Sequence, residues 1–363
     1  MKNTFGQSLG VTIFGESHGQ AIGAVLDGLA PGIGVDEAFI ARQLDRRRGL
    51  SSVSTKRREK DEFRIVSGYF EGKTTGTPLC IIIENEDTRS KDYSLTKDLA
   101  RPGHADYTAF MKYHGFQDYR GGGHFSGRIT TPLVAAGAIA MKALNQKGIF
   151  LGTHILLCAG VRDRDFGDYK ADFPILSDHI ISMLDDAKRE EATKKMQEAA
   201  KDGDSVGGVL QTAIVGLPAG IGEPWFDSFE SVMSHALFSV PAVKGVEFGA
   251  GFGFADMKGS EANDCFRMNG EKIETVTNNN GGINGGITNG MPVLFSCVIK
   301  PTASIYKKQN TVDFIKKQDA ELQIKGRHDP AIIGRAAVVV DSVAALTVYD
   351  MLASRFGTDY FKG

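Results

Sequence analysis

The sequence reads as a globular chain that mixes strands and helices, and three observations carry that reading. Short apolar runs with strand chemistry, VTIFG from Val11, LCIIIE from Leu79 and PVLFSCVIK from Pro292, are bounded by glycine, serine or asparagine clusters. Between them lie separate helical patterns, DEAFIARQLDRRRG from Asp36 and LVAAGAIAMKAL from Leu133, each with residues that start and stop a helix. No GxGxxG fingerprint occurs anywhere, which removes the main sequence support for a Rossmann dinucleotide site.

The first strand runs into Gly15-Glu16-Ser17-His18-Gly19. A histidine between glycines at a strand end has little side-chain packing to satisfy, so His18 reads as an acid–base or ligand group that titrates near neutral pH. Ser17 beside it either relays a proton or caps the turn. The helix from Asp36 carries Phe39, Ile40 and Leu44 on one side and ends in Arg46, Arg47 and Arg48, which complement the negative end of the helix dipole. Successive residues spread around a helix, so at least one of these arginines turns away from solvent and can reach a ligand. Lys56-Arg57-Arg58 follows in a polar stretch that reads as a loop. Ser67 to Thr77, SGYFEGKTTGT, falls one residue short of the phosphate-binding P-loop spacing and reads instead as a hairpin leading into LCIIIE.

Arg101 to Thr130, RPGHADYTAFMKYHGFQDYRGGGHFSGRIT, concentrates cations, histidines and a glycine run. Gly121 to Gly123 permit backbone conformations closed to other residues and let amide N–H groups approach a ligand. Arg120 and Arg128 flank them, with Ser126 between. Thr131 is the expected N-cap and Pro132 the first helical position, with Gly148 as the stop. On this reading the glycine loop opens onto a helix N-terminus suited to phosphate or carboxylate. A plain glycine-rich turn admitting a helix is the alternative.

In the second half, residues 149–161 and 209–216 read as strands. Between them, 185–201 reads as a charged helix with Glu190–Lys194 and Glu191–Lys195 pairs at helical spacing, and GDSVGG from Gly203 as a turn. FSVPAVKGVEFGAGFGF from Phe238 alternates glycine with apolar residues. NNNGGINGGITNG from Asn278 feeds the strand at Pro292 and then Lys300-Pro301-Thr302-Ala303-Ser304, which places amides, an ammonium and hydroxyls together. A second phosphate or a flavin-type ligand suits that set; a bare hairpin is the alternative. Arg327-His328-Asp329-Pro330 reads as a turn before a strand AAVVV, and a closing helix is expected from Asp341.

Composition narrows the class. The chain has 363 residues, 42% of them hydrophobic, enough for a substantial core, and a net charge of −2 that gives no support for a nucleic-acid or membrane partner. Cys80, Cys158, Cys265 and Cys297 show no CxxC spacing, which argues against a zinc cluster or disulfide framework and fits a reducing cytoplasm. No uninterrupted apolar run reaches the roughly 18 residues of a membrane span, and the first ten residues lack a signal pattern.

Taken together, GESHG (15–19), DRRR (45–48), RPGHADYT (101–108), RGGGHFSGRIT (120–130), GGINGGITNG, KPTAS and RHDP resemble, in order, the motifs of chorismate synthase, from Phe5 to about Leu352. The resemblance implies an α+β fold, a single-domain β-α-β sandwich, usually a homotetramer. It also implies a 1,4-anti elimination of phosphate from 5-enolpyruvylshikimate 3-phosphate that needs reduced FMN without net redox change. By resemblance His18 protonates the leaving phosphate and His104 protonates the reduced flavin, while Asp329 with Ser17 forms the relay that serves flavin N5. Ser126 belongs to the same catalytic set. Arg47, Arg48, Arg128 and Arg327 would hold the substrate's carboxylates and phosphate. FMN contacts would fall on His124, Phe125, Ser126, Ala242, Gly285, Lys300, Pro301, Thr302, Ala303, Ser304 and Arg327.

The chain departs from the family's pattern in places. His124, Phe125 and Ile129 stand where the family commonly has arginine, serine and glutamate. The loop at 50–53 is one residue shorter, with Ser52 in place of an arginine linked to pyridine-nucleotide binding, and Ala30-Pro31 shifts an expected proline by one. Direct reduction of the flavin by NADPH is therefore not expected, and an external flavin reductase or another source of reduced FMN is. Two rivals stay open on sequence alone: a phosphoryl transferase using residues 68–74, and an FMN-binding module without catalysis.

Overall fold

The computed structural model describes residues 3–49, 61–86, 97–324 and 329–363. The N-terminal half builds one antiparallel sheet from β1 (Thr4–Phe5), β2 (Gly10–Gly15), β3 (Ala21–Asp27), β4 (Phe63–Ser67) and, beyond the small hairpin β5 (Tyr69–Phe70) and β6 (Lys73–Thr74), β7 (Leu79–Glu84). Its order is β1-β2-β3-β7-β4. Leu79, Ile81 and Ile83 alternate inward along β7, the period-2 pattern of a sheet with one covered face. The hairpin at 68–74 is as the sequence suggests, and Thr74 is buried with its hydroxyl donating to Ala30 O, so this stretch is not a nucleotide-binding loop.

The second half builds the other sheet from β8 (Phe150–Cys158), β9 (Val161–Arg162), β10 (Gly208–Val215) and β11 (Val243–Phe248). Two hairpins follow, β12 (Phe266–Asn269) with β13 (Lys272–Thr275) and β14 (Ile283–Asn284) with β15 (Ile287–Thr288), before β16 (Val293–Ile299) completes the order β11-β16-β10-β8-β9. A last hairpin pairs β17 (Gln309–Asp313) with β18 (Gln318–Leu322). The helices are α1 (Glu37–Arg48), α2 (Asp106–Tyr113), α3 (Thr130–Gln146), α4 (Tyr169–Asp178), α5 (Asp186–Lys201), α6 (Phe229–Leu237), α7 (Gly259–Ala262) and α8 (Ile333–Phe356).

The layers follow from what these helices bury. α3 packs on β3 and β7 of the first sheet, α8 packs on β8 and β10 of the second, and the two helices pack on each other, which makes a β-α-β sandwich. At their crossing a Cβ on Gly137 would lie 2.3 Å from Ser342 Cβ and 2.5 Å from Ser342 Cα, so only glycine admits this approach. α8 is long and apolar enough to cross a membrane, yet 94% of its apolar window is buried inside the fold. Two of its polar side chains meet the N-terminal half: Asp350 accepts from the backbone N–H groups of Gln7, Ser8 and Leu9 at 2.7–3.1 Å, and Tyr349 Oη accepts from Ala30 N at 2.9 Å.

Three expectations change. AAVVV is not a strand but lies inside α8, because a helix wedged between two sheets is buried on nearly every side and that packing overrides the β preference of Val338, Val339 and Val340. Thr131 does not cap α3: the helix starts at Thr130, and the Thr131 hydroxyl donates to Arg128 O at 2.7 Å. The charged helix is present, with Asp185 as its N-cap, but its ion pairs are Lys188–Glu191 and Lys195–Glu198, one residue closer than expected. The four cysteines are free, and burial pushes the thiols of Cys158 and Cys297 up to about 12.

Replacing Gly137 by valine forces α3 and α8 apart. The expected loss is about 1–3 kcal/mol or more, as for overpacked cores, read as a lower urea midpoint. An unchanged midpoint would show that the helices do not cross this closely.

Candidate active site

The centre of the site is the glycine loop and the two histidines against it. Gly121, Gly122 and Gly123 all have positive φ (59°, 85° and 54°), a region L side chains rarely adopt. Space is the second constraint. A Cβ on Gly121 would lie 2.2 Å from His18 Cε1 and 2.4 Å from Nδ1; one on Gly122 would lie 3.2 Å from His104 Cε1 and 3.4 Å from Nε2. The Gly121–Gly122 dipeptide therefore sits between the imidazoles, and Ser17 N donates to Gly123 O at 3.1 Å. His18 is not the open turn residue its flanking glycines suggest. It is 6% exposed and Ser17 2%, because the glycine loop covers them. The anion reading also moves. Thr130, Thr131 and Pro132 are buried at the start of α3, so the glycine loop, and not the helix end, faces the site.

Beneath the loop, Arg128 is 7% exposed and holds several backbone segments at once. Its Nε donates to Asn85 Oδ1 at 3.1 Å, Nη2 to Glu84 O at 3.3 Å, and Nη1 pairs with Asp61. Asn85 in turn donates from Nδ2 to Glu16 O and Gly19 O, both at 3.0 Å, spanning the turn that carries His18. Asp61 is shared: Arg47 Nη1 lies 3.8 Å from its other oxygen. Arg47 also donates to Thr130 Oγ1 (2.9 Å) and Gly127 O (2.6 Å). Arg46 turns the other way, to Asp341 of α8 at 3.2 Å, and burial raises the Asp341 carboxyl above its usual range against the opposing charge of Arg46. Arg48 pairs with Asp45. The three arginines thus leave the helix in different directions, and each meets a carboxylate.

His104 stands on a second network. Its Nδ1 lies 2.9 Å from Asp106 Oδ1, and Arg101 clasps the same carboxylate through Nη2 (2.6 Å), Nε (2.8 Å) and its backbone N (2.9 Å). Burial would raise the Asp106 carboxyl, but the hydrogen bonds from Arg101 and then His104, with their charges, outweigh it and hold the group well below the usual carboxylate range. A hollow beside His104 is lined by Lys97, Arg101, Gln117, Tyr119 and Phe125.

The KPTAS segment meets this network directly. Lys300 Nζ donates to Gly103 O, its backbone N donates to Ala242 O at 2.9 Å, and Ala303 Cβ lies 3.6 Å from where a Gly103 Cβ would be. Ala242 has a positive φ of 75°, unusual outside glycine. Ser205 Oγ donates to Thr302 O at 2.8 Å and Val206 N to Pro330 O at 2.8 Å, which brings Asp329-Pro330 alongside Pro301 to Ser304. Asp329 pairs with Arg335 at 3.1 Å, and Arg335 packs where a Cβ on Gly49 would sit, at the C-terminal end of α1. Gly285 is exposed on the β14–β15 hairpin, whose fixed neighbours are Glu223, Ser228 and Phe229, and the structure does not join it to the histidine loops. Arg327, Ser52, Lys56, Arg57 and Arg58 lie outside the described residues.

The residues that depart from the resemblance have local explanations. His124 Nδ1 donates to Gly15 O at 2.7 Å and ties the loop to β2. Ser126 caps the next turn by accepting from Arg128 N, and Phe125 is partly exposed against Tyr113. Ile129 is buried with Ile22 and Ile83, where a carboxylate would have no partner among these neighbours. Sequence reasoning passed over Asp61, Asn85 and Asp106, since isolated carboxylates and amides carry no signal until the fold sets arginine or histidine beside them.

A family model described as Chorismate synthase matches residues 9–353. The chain is 43% identical over 350 residues to a protein named chorismate synthase from Thermococcus kodakarensis, covering 96% of this chain and 97% of that one. A protein of the same name from Methanosarcina mazei is 45% identical over 360 residues, covering 98% and 97%. A solved structure titled "Crystal Structure of Chorismate Synthase" aligns with a TM-score of 0.77 and 27% identity over 97% of this chain and 94% of that one.

Because the folded Asp106 carboxyl is depressed, its stabilising contribution is present above the unfolded value of about 3.9 and lost as pH falls towards the folded one. Asp106→Asn should therefore be less stable than the wild type at pH 7, with the gap closing below about pH 4. Urea midpoints across pH check this; a gap equal at pH 3 and pH 7 would count against the pairing.

Proposed function

The chain belongs to the chorismate synthase family, and from that premise we infer how its residues carry out the reaction. It is a carbon–oxygen lyase that eliminates phosphate from 5-enolpyruvylshikimate 3-phosphate to give chorismate in the shikimate pathway. The supporting observation is the Gly121–Gly122 dipeptide seated between His18 and His104, which sets two proton-carrying groups against one backbone surface.

The residues around that surface fit reduced FMN as cofactor. Ser17 Oγ and Thr302 Oγ1 are buried without hydrogen-bond partners among the described residues, and Lys300, two positions before the second of them, donates its ammonium to Gly103 O. Lys300 to Ser304, Ala242, His124, Phe125, Ser126 and Arg327 would hold the cofactor, while the position of Gly285 on the β14–β15 hairpin does not support a contact within this chain. When bound in reduced form it supplies an electron-rich ring to the elimination, which is cofactor chemistry.

The protein's part is charge, orientation and protons. Substrate and cofactor together bring about six negative charges, and unpaired charges removed from water cost several kcal/mol each. Arg47, Arg48, Arg128 and Arg327 answer that charge, with Arg128 acting from a buried position already anchored by Asp61 and Asn85. His18 holds the proton for the departing phosphate at the ring edge that faces Gly121. His104 carries a second proton at the edge facing Gly122, and Asp329 with Ser17 relays protons on the cofactor side.

We read the whole chain as one catalytic domain. Exposed Trp225, Phe226, Phe252, Phe266, Met268 and Ile273 supply apolar surface for a homotetramer in the cytoplasm.

Under anaerobic conditions, chemically reduced FMN and 5-enolpyruvylshikimate 3-phosphate should yield chorismate and phosphate, while oxidised FMN alone should bind without turnover. Product formed with oxidised flavin alone would refute the cofactor reading. His18→Ala and His104→Ala should each lower the rate by about 10²- to 10⁴-fold with folding intact. Full activity of His104→Ala between pH 6 and 8 would remove it from the mechanism.

The enzyme should also depend on an external source of reduced FMN. Ser52 makes at best a neutral hydrogen bond to a phosphate, weaker by about 1 kcal/mol or more than a charge-assisted arginine contact. Enzyme, oxidised FMN, substrate and NADPH without a reductase should therefore give far less chorismate than a dithionite-reduced control. Comparable rates would show intrinsic flavin reductase activity.

A further inference from the structure

His104 can donate or accept a proton productively only if the right ring nitrogen faces the reacting groups. We propose that Asp106 is a positioning residue for His104, fixing the ring with Nδ1–H on its carboxylate and Nε2 turned to the Gly121–Gly122 loop. The proposal rests on the reading of His104 as a proton-carrying group and extends it to the residue that sets its tautomer.

The geometry decides between two arrangements. Nδ1 lies 2.9 Å from Asp106 Oδ1 and 3.0 Å from Arg101 Nη2. Were Nδ1 the bare nitrogen accepting from Arg101, its lone pair would also face an ionised carboxylate oxygen at 2.9 Å, a repulsive contact. With the proton on Nδ1, both the ring and Arg101 donate to Oδ1, Arg101 from 2.6 Å, and the short separation between the two donors is what convergence on one acceptor produces. Oδ2 is saturated separately by Arg101 N at 2.9 Å and Arg101 Nε at 2.8 Å. Arg101 thus holds the carboxylate in plane and keeps it ionised. As the first residue of α2, Asp106 also lies at the positive end of a helix dipole.

This arrangement gives the ring a direction. Nε2 is left with the other role, and it is this edge of the ring that a Gly122 Cβ would meet at 3.4 Å. The other charged side chains lining the hollow are Lys97 and Asp118, and neither is hydrogen-bonded to Nδ1; Asp118 is paired with Arg120 at 2.7 Å, and Lys300 is taken by Gly103 O. A carboxylate that orients an imidazole in this way acts through the histidine, and replacing it with an amide reverses the tautomer while leaving the shape intact.

The test uses the full-length protein labelled with ¹⁵N in its histidine rings, studied by magic-angle-spinning NMR at alkaline pH, with His104 assigned by difference from His104→Ala. Wild-type His104 should carry its proton on Nδ1. In Asp106→Asn, Arg101 N and Nε keep the amide oxygen at the Oδ2 position, which turns the amide NH₂ to Nδ1 and moves the proton to Nε2. Asp106→Glu should restore the Nδ1–H form. In anaerobic turnover Asp106→Asn should lose at least about tenfold in kcat with KM changed by less than about threefold, and should cost nothing further in a His104→Ala background. An Nε2–H tautomer in the wild type overturns the proposal, as does an unchanged tautomer in Asp106→Asn or an additive loss in the double variant. Should His104→Ala keep full turnover while the tautomer still switches, the role given to His104 fails and the positioning by Asp106 stands. Since the wild-type spectrum alone reads the tautomer, a variant that does not fold leaves the proposal open to refutation.

Discussion

The buried guanidinium of Arg128 is the constraint on which the site is built. A charge with a side chain only 5% exposed must be paired and hydrogen-bonded around its edge, because an uncompensated buried charge costs roughly 3–5 kcal/mol. Here the partners come from three places: Asp61 at the entrance to β4, Glu84 O at the end of β7, and Asn85 just beyond it. Each side-chain partner also holds something else. Asn85 spans the His18 turn, and Asp61 reaches Arg47 from α1. Satisfying one cation therefore fixes the relative positions of a helix end, two strand ends and the turn that carries His18.

The same network explains why glycine is required above it. With the His18 turn pinned from below by Asn85 and His104 pinned from the side by Asp106, the loop between them has no freedom to swing away. It fits only where Cβ atoms are missing, at Gly121 and Gly122. A flexible glycine loop would leave room for its neighbours to move, whereas this one is confined on both sides. Its positive φ angles are a consequence of tracing a tight path between two rings.

The same physics separates the features that were legible in the sequence from those that were not. Local signals worked: Asp36 and Gly49 as the caps of α1, alternation in β7, Gly148 ending α3, and the hairpin at 68–74. The motif positions also converged, with Lys300 against Gly103 and Ser17 against Gly123. Readings failed where tertiary burial replaced the local preference. Val338 to Val340 look like strand residues, and become helical because α8 is buried between α3 and the second sheet. His18 reads as having little side-chain packing to satisfy, and is covered by a loop about a hundred residues away in the chain. Asp61, Asn85 and Asp106 could not be recognised, since what makes each of them matter is a cation or an imidazole brought close by the fold.

The sandwich's central helix carries this order further than its composition suggests. α8 is nearly all apolar, and apolar contacts alone would permit it to slide or rotate between the sheets at modest cost. Its polar residues remove that freedom. Asp350 takes the amides of Gln7, Ser8 and Leu9, Tyr349 takes Ala30 N, and Asp341 takes Arg46, so three points along one helix fix its register against the first sheet and α1. Fixing Arg46 also fixes Arg47, one position on, because adjacent residues on a helix are separated by a set rotation of about 100°. With Arg46 held on Asp341, Arg47 leaves the helix in another direction and reaches Thr130, Gly127 and Asp61. A carboxylate buried in the middle of the core thereby anchors the arginine next to Arg47, without touching the glycine loop itself.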